Sequence, residues 1–229
     1  MPLRKSAYCA LAAAMLAVPV VAGELHLDAI VSGRAGVADG DRSWLEGGWG
    51  KSGFGGDEDE SSRTSLLGDV RLGLDWRPAD RFGIVLTGVV RAEPSRYEGE
   101  AAGVTEAYAE GLLFFKQADR LRVRVGMFFL PTSLENTGPM WSSPYTISYS
   151  AINSWIGEEV RPIGLDLDYR IEGATRLSLG GTVFVGNDTM GTLLAWRGWS
   201  MHDRVSVFDE VLPLPDLWSL SEVFVLQRD

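Results

Sequence analysis

The chain has few of the residues on which disulfide frameworks, metal centres and most hydrolases depend. Its only cysteine is Cys9, so no disulfide can form within the chain, and its only histidines are His26 and His202. Neither histidine lies in a metal-ligand spacing or beside a nucleophile motif, and no glycine-rich phosphate loop follows a strand and opens a helix. We therefore predict that the protein is not an enzyme, with no catalytic residue, no metal site and no cofactor.

Positive charge is also scarce. The 229 residues include 31 acidic and 21 basic side chains, which gives a formal net charge of −10. Beyond residue 22 the only lysines are Lys51 and Lys116. Because binding to nucleic acid requires a basic surface that neutralises phosphates, we predict no nucleic-acid partner.

The N-terminus lacks the long hydrophobic run of a transmembrane helix. Arg4 and Lys5 precede an apolar stretch at residues 7–18, which is shorter than the roughly 20 residues that a spanning helix needs. Val20-Val21-Ala22 then fits the small-residue rule for signal-peptidase cleavage. Residues 1–22 are therefore predicted to be a secretory signal peptide, with a membrane anchor as the alternative, and their removal changes the net charge to −12.

What the chain does have is alternation of apolar and polar residues. In residues 69–93 it runs on both sides of the break Arg77-Pro78-Ala79-Asp80-Arg81, and a period of two with a central turn predicts a β-hairpin. The same pattern predicts further strands, to a total of about nine. These lie at residues 24–36, 104–116, 121–129, 163–171, 176–185, 192–200 and 205–212.

The connections between these strands alternate in length. Short turns are predicted at 77–81, 117–120, 172–175 and 201–204, and long loops at 37–63, 94–103 and 130–160. Short turns at one end and long loops at the other are typical of outer-membrane barrels. We therefore predict an all-β fold, an antiparallel transmembrane β-barrel.

Two of the long loops have distinctive compositions. The acidic run at residues 57–60 is interpreted as a solvated loop, with a calcium site or an outer-surface contact as alternatives. The loop at 130–160 contains Trp141, Tyr145, Tyr149 and Trp155, which argue against disorder. A loop of this length is usually functional, and it is expected either to narrow a pore or to cover the barrel mouth.

The signal, the alternating strands, the short turns and above all the segment SLENTGPMWSSPYTISYSAINSWIGEE resemble the porin family of Gram-negative outer membranes, of the type related to the phosphate-selective porins. The resemblance implies a homotrimeric, water-filled barrel of about sixteen to eighteen strands in the outer-membrane lipid. It implies passive diffusion of small hydrophilic solutes or ions. Phosphate-selective members have pore rows of arginine and lysine, whereas this chain has few lysines and many acidic residues.

The number of predicted strands leaves two interpretations of the barrel. A porin lumen needs around sixteen strands, so residues 23–229 are expected to be an incomplete, N-terminal portion of a porin domain. The alternative is a complete eight-stranded barrel, too narrow for a channel, with a structural or adhesive role and binding loops on the cell surface.

If lipid lies outside the barrel and water inside, one face of the strands lines the pore. The predicted pore-lining residues are Asp69, Arg71, Asp75, Arg91, Glu106, Glu110, Arg122, Arg124, Asp166, Asp168 and Arg170. Glu106 and Glu110 are expected near Arg122 and Arg124. Opposed charges create a transverse field that orients polar solutes and favours ions of one sign. The alternative is that these charges only pair across strands and keep the lumen wet.

Overall fold

A computed structural model describes residues 23–56, 62–92, 100–115, 119–130, 133–154, 160–172, 175–186, 189–201 and 204–215. Within these ranges the chain forms one antiparallel sheet of seven strands in sequence order, which confirms the all-β prediction. The strands are β1 (Glu24–Ala38), β2 (Arg63–Ala79), β3 (Phe82–Ala92), β4 (Ala102–Phe114), β5 (Arg120–Met127), β6 (Ile163–Ile171) and β7 (Leu177–Val185). The sheet is not closed, since in the described residues β1 pairs only with β2 and β7 only with β6. The predicted signal peptide, the acidic run at 57–60 and His202 lie outside the described residues.

The lengths of the connections alternate as the sequence predicts. Residues 80–81 join β2 to β3, and similarly short connections join β4 to β5 and β6 to β7. The long connections precede β2, β4 and β6. Because consecutive strands are antiparallel, all the short connections lie at one end of the sheet and all the long ones at the other.

One face of the sheet, which we call the apolar face, is formed by large hydrophobic side chains that are exposed. Leu27, Val31 and Val183 are 71%, 77% and 78% exposed. Further exposed members of this face are Leu25, Leu66, Val70, Leu72, Phe82, Val90, Leu113, Val125, Ile163, Leu165, Leu167, Leu177, Leu179 and Val185. A soluble β-sandwich buries the apolar side of its sheets, so this arrangement is the reverse of one.

The opposite face, which we call the charged face, is covered by the chain itself. Described parts of the chain at residues 39–56, 128–130, 133–154, 189–201 and 204–215 pack on it and contain two buried hydrophobic clusters, the first of which includes Leu67 of β2. The first cluster contains Trp44, Leu45, Leu67, Leu193 and Leu212, and the second contains Phe129, Trp141, Tyr149 and Val205. The contact is close at Gly103, where a Cβ atom would lie 2.6 Å from Cβ of Val207. The hydrophobic interior of the described chain therefore lies between the charged face and these covering segments.

The strand predicted at residues 192–200 is wrong. The structure has an α-helix there, α1 (Thr189–Arg197). Leu193, Trp196 and Arg197 are three and four residues apart, so they lie on one side of a helix. Leu193 packs in the first cluster, the Trp196 indole donates to the Pro215 carbonyl at 2.8 Å, and Arg197 donates to the Gly50 carbonyl at 2.8 Å. Burial lowers the pKa of the Arg197 guanidinium.

The strand predicted at residues 205–212 is not present either. This segment crosses the charged face, where Phe208 N donates to the Val104 carbonyl at 2.8 Å and the Arg161 guanidinium donates to the Val207 carbonyl at 2.8 Å. Hence the described ranges contain seven strands in place of the predicted nine or so. None of the helices in the described parts of the chain has the length and apolarity needed to cross a membrane.

Candidate functional site

The register of the strands brings the predicted pore-lining residues to the charged face. In an antiparallel sheet, directly opposed residues point to the same side. Asp69 is opposite Arg91, Glu110 is opposite Arg124, and Arg124 is opposite Asp166. Alternation within each strand then places the remaining members, Arg71, Asp75, Glu106, Arg122, Asp168 and Arg170, on the same side. The sheet therefore has one face of ionisable side chains and one of exposed hydrocarbon.

The densest charge network joins β5, β6 and β7. Arg124 donates to Oδ2 of Asp166 through Nε at 3.0 Å and Nη2 at 2.8 Å, and both residues are buried. Oδ1 of Asp166 accepts the Thr182 hydroxyl at 2.8 Å. Arg122 extends the network, with Nη2 lying 3.6 Å from Asp166 and 3.4 Å from Asp168. Charge-assisted hydrogen bonds of this kind fix the side chains in one geometry.

The network continues along β6 through Asp168. Arg170 donates to Oδ2 of Asp168 at 3.0 and 2.8 Å, and the Ser178 hydroxyl donates to Oδ1 at 2.6 Å. Arginines of β5 thus lie beside aspartates of β6, and hydroxyl groups of β7 donate to the same aspartates.

A second network is centred on Asp69 of β2. Its carboxylate accepts from the Ser32 hydroxyl at 2.9 Å and from Nε of Arg71 at 3.1 Å, and Nη2 of Arg34 lies 3.6 Å away. Arg34 and Ser32 come from β1, so this network ties the first strand to the second by side chains as well as by the backbone.

Arg91 belongs to a third, more deeply buried group. Its guanidinium donates to the Val205 carbonyl and lies 3.9 Å from Glu210, which also accepts from Arg204 and from Val207 N. Glu210 is 1% exposed. This group holds the segment 204–210 against β3, so we assign Arg91 to anchoring the covering chain.

The predicted proximity of Glu106 and Glu110 to Arg122 and Arg124 holds for the backbone of Glu110 and for Glu106, which lines the same cavity as Arg124 and lies within range of its charge. Glu110 is opposite Arg124, but Arg124 donates to Asp166, and Glu110 instead lies 3.5 Å from Nη1 of Arg77. Glu106 Oε1 accepts the backbone N–H of Phe129 at 3.3 Å. The arginines of β5 therefore pair with β6, and the glutamates of β4 turn towards β2 and the covering loop.

Arg77 is a member of the charged face that sequence reasoning missed. The sequence pattern predicts that it lies in the turn, but β2 continues to Ala79, and Arg77 points to the same side as Asp75, to which it donates at 2.9 Å. It reaches Glu110 across the intervening β3, where Gly83 leaves room: a Cβ there would lie 3.5 Å from the Arg77 guanidinium. Its spacing of two from Asp75 is the signal that would have identified it.

The tip of the loop predicted at 130–160 packs against the charged face. Met140 contacts Gly73, where a Cβ would lie 3.2 Å from Met140 Cγ and Sδ, and Trp141 stacks on Phe129 with ring centroids 4.8 Å apart. Met140 and Trp141 have φ values of 54° and 55°. This left-handed conformation costs non-glycine residues of order 1–3 kcal/mol each, and such residues cluster at functional sites.

Hydrogen bonds within the loop also hold its tip in place. Gly138 N donates to the Ser142 carbonyl at 2.8 Å, and the Ser142 hydroxyl donates to the Pro139 carbonyl at 2.7 Å. Between this tip and strands β1 to β5 there is a cavity of about 310 Å³. Its walls include Asp28, Asp75, Glu106, Tyr108, Arg124, Phe129, Met140 and Trp141.

Nothing in the described ranges gathers three or more histidine, cysteine, aspartate or glutamate side chains into an arrangement that could hold a metal ion. His26 lies on the charged side of β1, with Nε2 3.2 Å from Oε1 of Glu24, and both side chains are largely exposed. The chemistry of the charged face is thus that of fixed, opposed charges and hydrogen-bond groups. The chain matches no protein-family model, no curated protein and no solved structure.

Proposed function

We propose that this chain forms part of the wall of an outer-membrane porin, through which small hydrophilic solutes and ions diffuse passively. The observation that carries the proposal is that apolar side chains are exposed on one face of the sheet and charged side chains are covered on the other. Leu72 and Leu165, on the apolar face, are 46% and 40% exposed, whereas Asp166, on the charged face, is 4% exposed. Lipid is the solvent that favours exposed hydrocarbon on one side of a sheet whose other side holds the charged groups.

The free edges of the sheet support a larger barrel. In hydrocarbon, the unpaired backbone groups of an open edge are costly, so membrane-spanning sheets close on themselves. The described residues leave one edge of β1 and one edge of β7 without a neighbouring strand. Further strands pair with these edges and complete the cylinder. The porins that the sequence resembles have about sixteen to eighteen strands. A homotrimer follows from the same resemblance.

In such a barrel the charged face lines the lumen and the tip at Met140 and Trp141 narrows it. Ions then pass between the arginines of β5 and the carboxylates of β1, β2 and β4. The whole chain has 31 acidic and 21 basic side chains. This excess of acidic groups favours cations over anions.

The test is conductance of the purified protein in planar lipid bilayers. The proposal predicts stepwise, ohmic current increments. Under a salt gradient it predicts a reversal potential whose sign indicates preference for cations. The proposal would be contradicted if the strands were protected from protease, which shows insertion, and the protein nevertheless gave no current steps.

A cysteine pair on β1 provides a finer prediction. In a Cys9→Ser background, Ser32→Cys places a thiol on the charged face beside a cavity of about 370 Å³, whereas Leu27→Cys places one on the apolar face, away from that cavity. A bulky charged methanethiosulfonate reagent is expected to lower every conductance step of the Ser32 variant, because the attached group occupies the lumen. The Leu27 variant serves as the matched control and is expected to conduct unchanged. Equal block of both variants would contradict the assignment of the faces.

A small structural or adhesive barrel is the second candidate. It is favoured by the two buried hydrophobic clusters, since they fill part of the charged side with the chain's own side chains. A barrel plugged in this way inserts in lipid without current steps, so the same recordings distinguish the two functions.

A further inference from the structure

The segment at residues 204–210 packs on the charged face beside the loop tip at Met140 and Trp141. Val205 of this segment is 2% exposed and belongs to the second buried cluster, together with Phe129, Trp141 and Tyr149. Phe129 stacks on Trp141 with ring centroids 4.8 Å apart. The packing of the tip is thus completed by a side chain from a distant part of the chain.

The tip needs support from outside the loop because its backbone is strained. Met140 and Trp141 have φ values of 54° and 55°, in the left-handed region that is unfavourable for residues other than glycine. Such residues keep this conformation only where the contacts around them determine it. The hydrogen bonds of the tip join Gly138, Pro139 and Ser142, on either side of the strained pair. Packing of Trp141 in the second cluster therefore has to hold the pair itself.

Three consecutive carbonyl groups fix the segment to the wall of the sheet. Arg91 of β3 donates to the carbonyl of Val205. Arg161, which lies just before β6, donates to the carbonyls of Ser206 and Val207, the second at 2.8 Å. Hydrogen bonds from a guanidinium are charge-assisted and are stronger than those between neutral groups. They determine the position of a segment that forms no ladder with the strands.

The segment also fits the sheet closely beyond these carbonyls. Phe208 N donates to the Val104 carbonyl at 2.8 Å, and Val207 lies over Gly103, where a Cβ would be 2.6 Å from Cβ of Val207. Glu210 is 1% exposed and accepts from Val207 N at 2.8 Å, which turns the chain back on itself. The wall of the sheet thus sets where the whole segment lies.

Arg161 connects the segment to the tip. Its guanidinium lies over the Phe129 ring at 5.7 Å while it donates to the segment. We propose that residues 204–210 are a prop that holds the Met140–Trp141 tip against the charged face, with Val205 and Arg161 as positioning residues. In the proposed porin this prop fixes the width of the lumen. That statement rests on the proposed function, whereas the position of the tip requires only the folded protein.

The position of the tip is measured by the reactivity of a thiol. In a Cys9→Ser background, Met140→Cys replaces a side chain in a residue that is 7% exposed, so its rate of reaction with a maleimide reports opening of the tip. Ser65→Cys is the control for loosening of the whole fold, since Ser65 is 8% exposed and lies on β2, outside the tip and its cluster. Both rates are measured on the whole protein in detergent micelles.

Val205→Ala is expected to speed labelling of Met140→Cys by about tenfold, because two buried carbon atoms are lost from the cluster, and to leave labelling of Ser65→Cys unchanged. Val211→Ala is the matched control: it is the same substitution just beyond the prop, at a residue that is 78% exposed, and should change neither rate. Arg161→Met removes the donor to two carbonyls of the prop and should speed labelling severalfold. It keeps the test decisive if Val205→Ala fails to fold.

The prop is overturned if labelling of Met140→Cys is unchanged in the folded variants, or if labelling of Ser65→Cys accelerates equally. In planar bilayers, Val205→Ala is expected to give larger current steps than Val211→Ala, because the released tip no longer narrows the lumen. Faster labelling with equal current steps overturns the statement about width. Faster labelling in a protein that inserts without current steps overturns the porin alone, and current steps with unchanged labelling overturn the prop alone.

Discussion

Gly181→Arg is expected to prevent assembly of the protein in the membrane, whereas Gly180→Arg, at the neighbouring position, is expected to allow it. This is the largest difference between two variants that the assignment of an apolar face and a charged face predicts. Gly181 lies on the apolar face opposite Leu167, near the middle of β6. A Cβ at Gly181 meets no atom within 4 Å, so an arginine there causes no steric clash. Its effect depends only on whether lipid or water surrounds the new side chain. An arginine exposed to lipid at the midplane of a barrel costs about 2–4 kcal/mol.

Gly180 is a matched control because it is the same residue type in the same strand. It points to the charged face opposite Asp168, and a Cβ there would meet only the Leu167 carbonyl, at 3.5 Å. An arginine at 180 thus gains a carboxylate neighbour. We expect Gly180→Arg to fold into bilayers with the yield of the unmodified protein and Gly181→Arg to remain largely unfolded, as measured by heat-modifiable gel mobility. Equal yields from the two variants would contradict the assignment of lipid to the apolar face.

The second large effect is expected at Arg124. Its side chain and that of Asp166 are 9% and 6% exposed, and Arg124 also lies over the Phe128 ring at 4.7 Å. Arg124→Met leaves the Asp166 carboxylate buried without its main partner, a loss of about 3 kcal/mol in the free energy of unfolding. Urea titration of the protein in bilayers, followed by tryptophan fluorescence, measures this loss.

Two further variants show whether the loss comes from the buried pair. Asp166→Asn in the Arg124→Met background removes the stranded charge and keeps an acceptor for Thr182, so part of the lost stability should return. Arg122→Met is the matched control: Arg122 is 26% exposed and lies 3.4–3.6 Å from its carboxylates, so its loss should cost less than about 1 kcal/mol. If Arg122→Met and Arg124→Met lowered the free energy of unfolding equally, burial of the Arg124–Asp166 pair would not be the cause of the loss.

The strands and their faces could be predicted because alternation is a local signal. Leu165, Asp166, Leu167 and Asp168 assign both sides of β6 without knowledge of any other strand. The same alternation places Arg77 on the charged face, but the predicted strand stops before Arg77 because Pro78 is interpreted as a turn signal. Pro78 lies in the last residues of β2, at the end where the register with β3 shifts between Trp76 and Ala79, so the missing N–H interrupts no regular pairing.

The segment after β7 could not be predicted in the same way. A short apolar run fits a strand or a helix, and the run at α1 predicts a strand although Leu193, Trp196 and Arg197 have helical spacing. What stabilises the helix is tertiary: Leu193 packs against Trp44 and Leu45, more than 140 residues away in the chain. The partners of Arg124 and Glu110 were missed for a similar reason, since sequence gives the face of a residue but not which of several neighbours its side chain reaches.

The central claim is that hydrocarbon surrounds one face of this sheet and water the other. Its most direct test is an accessibility scan of β6, with single cysteines at Leu165, Asp166, Leu167 and Asp168 in a Cys9→Ser background, spin-labelled and measured in bilayers. We predict that labels at 165 and 167 collide with oxygen, which concentrates in lipid, and that labels at 166 and 168 collide with a water-soluble nickel chelate. Accessibility that does not alternate, or that alternates in the opposite phase, would contradict the account.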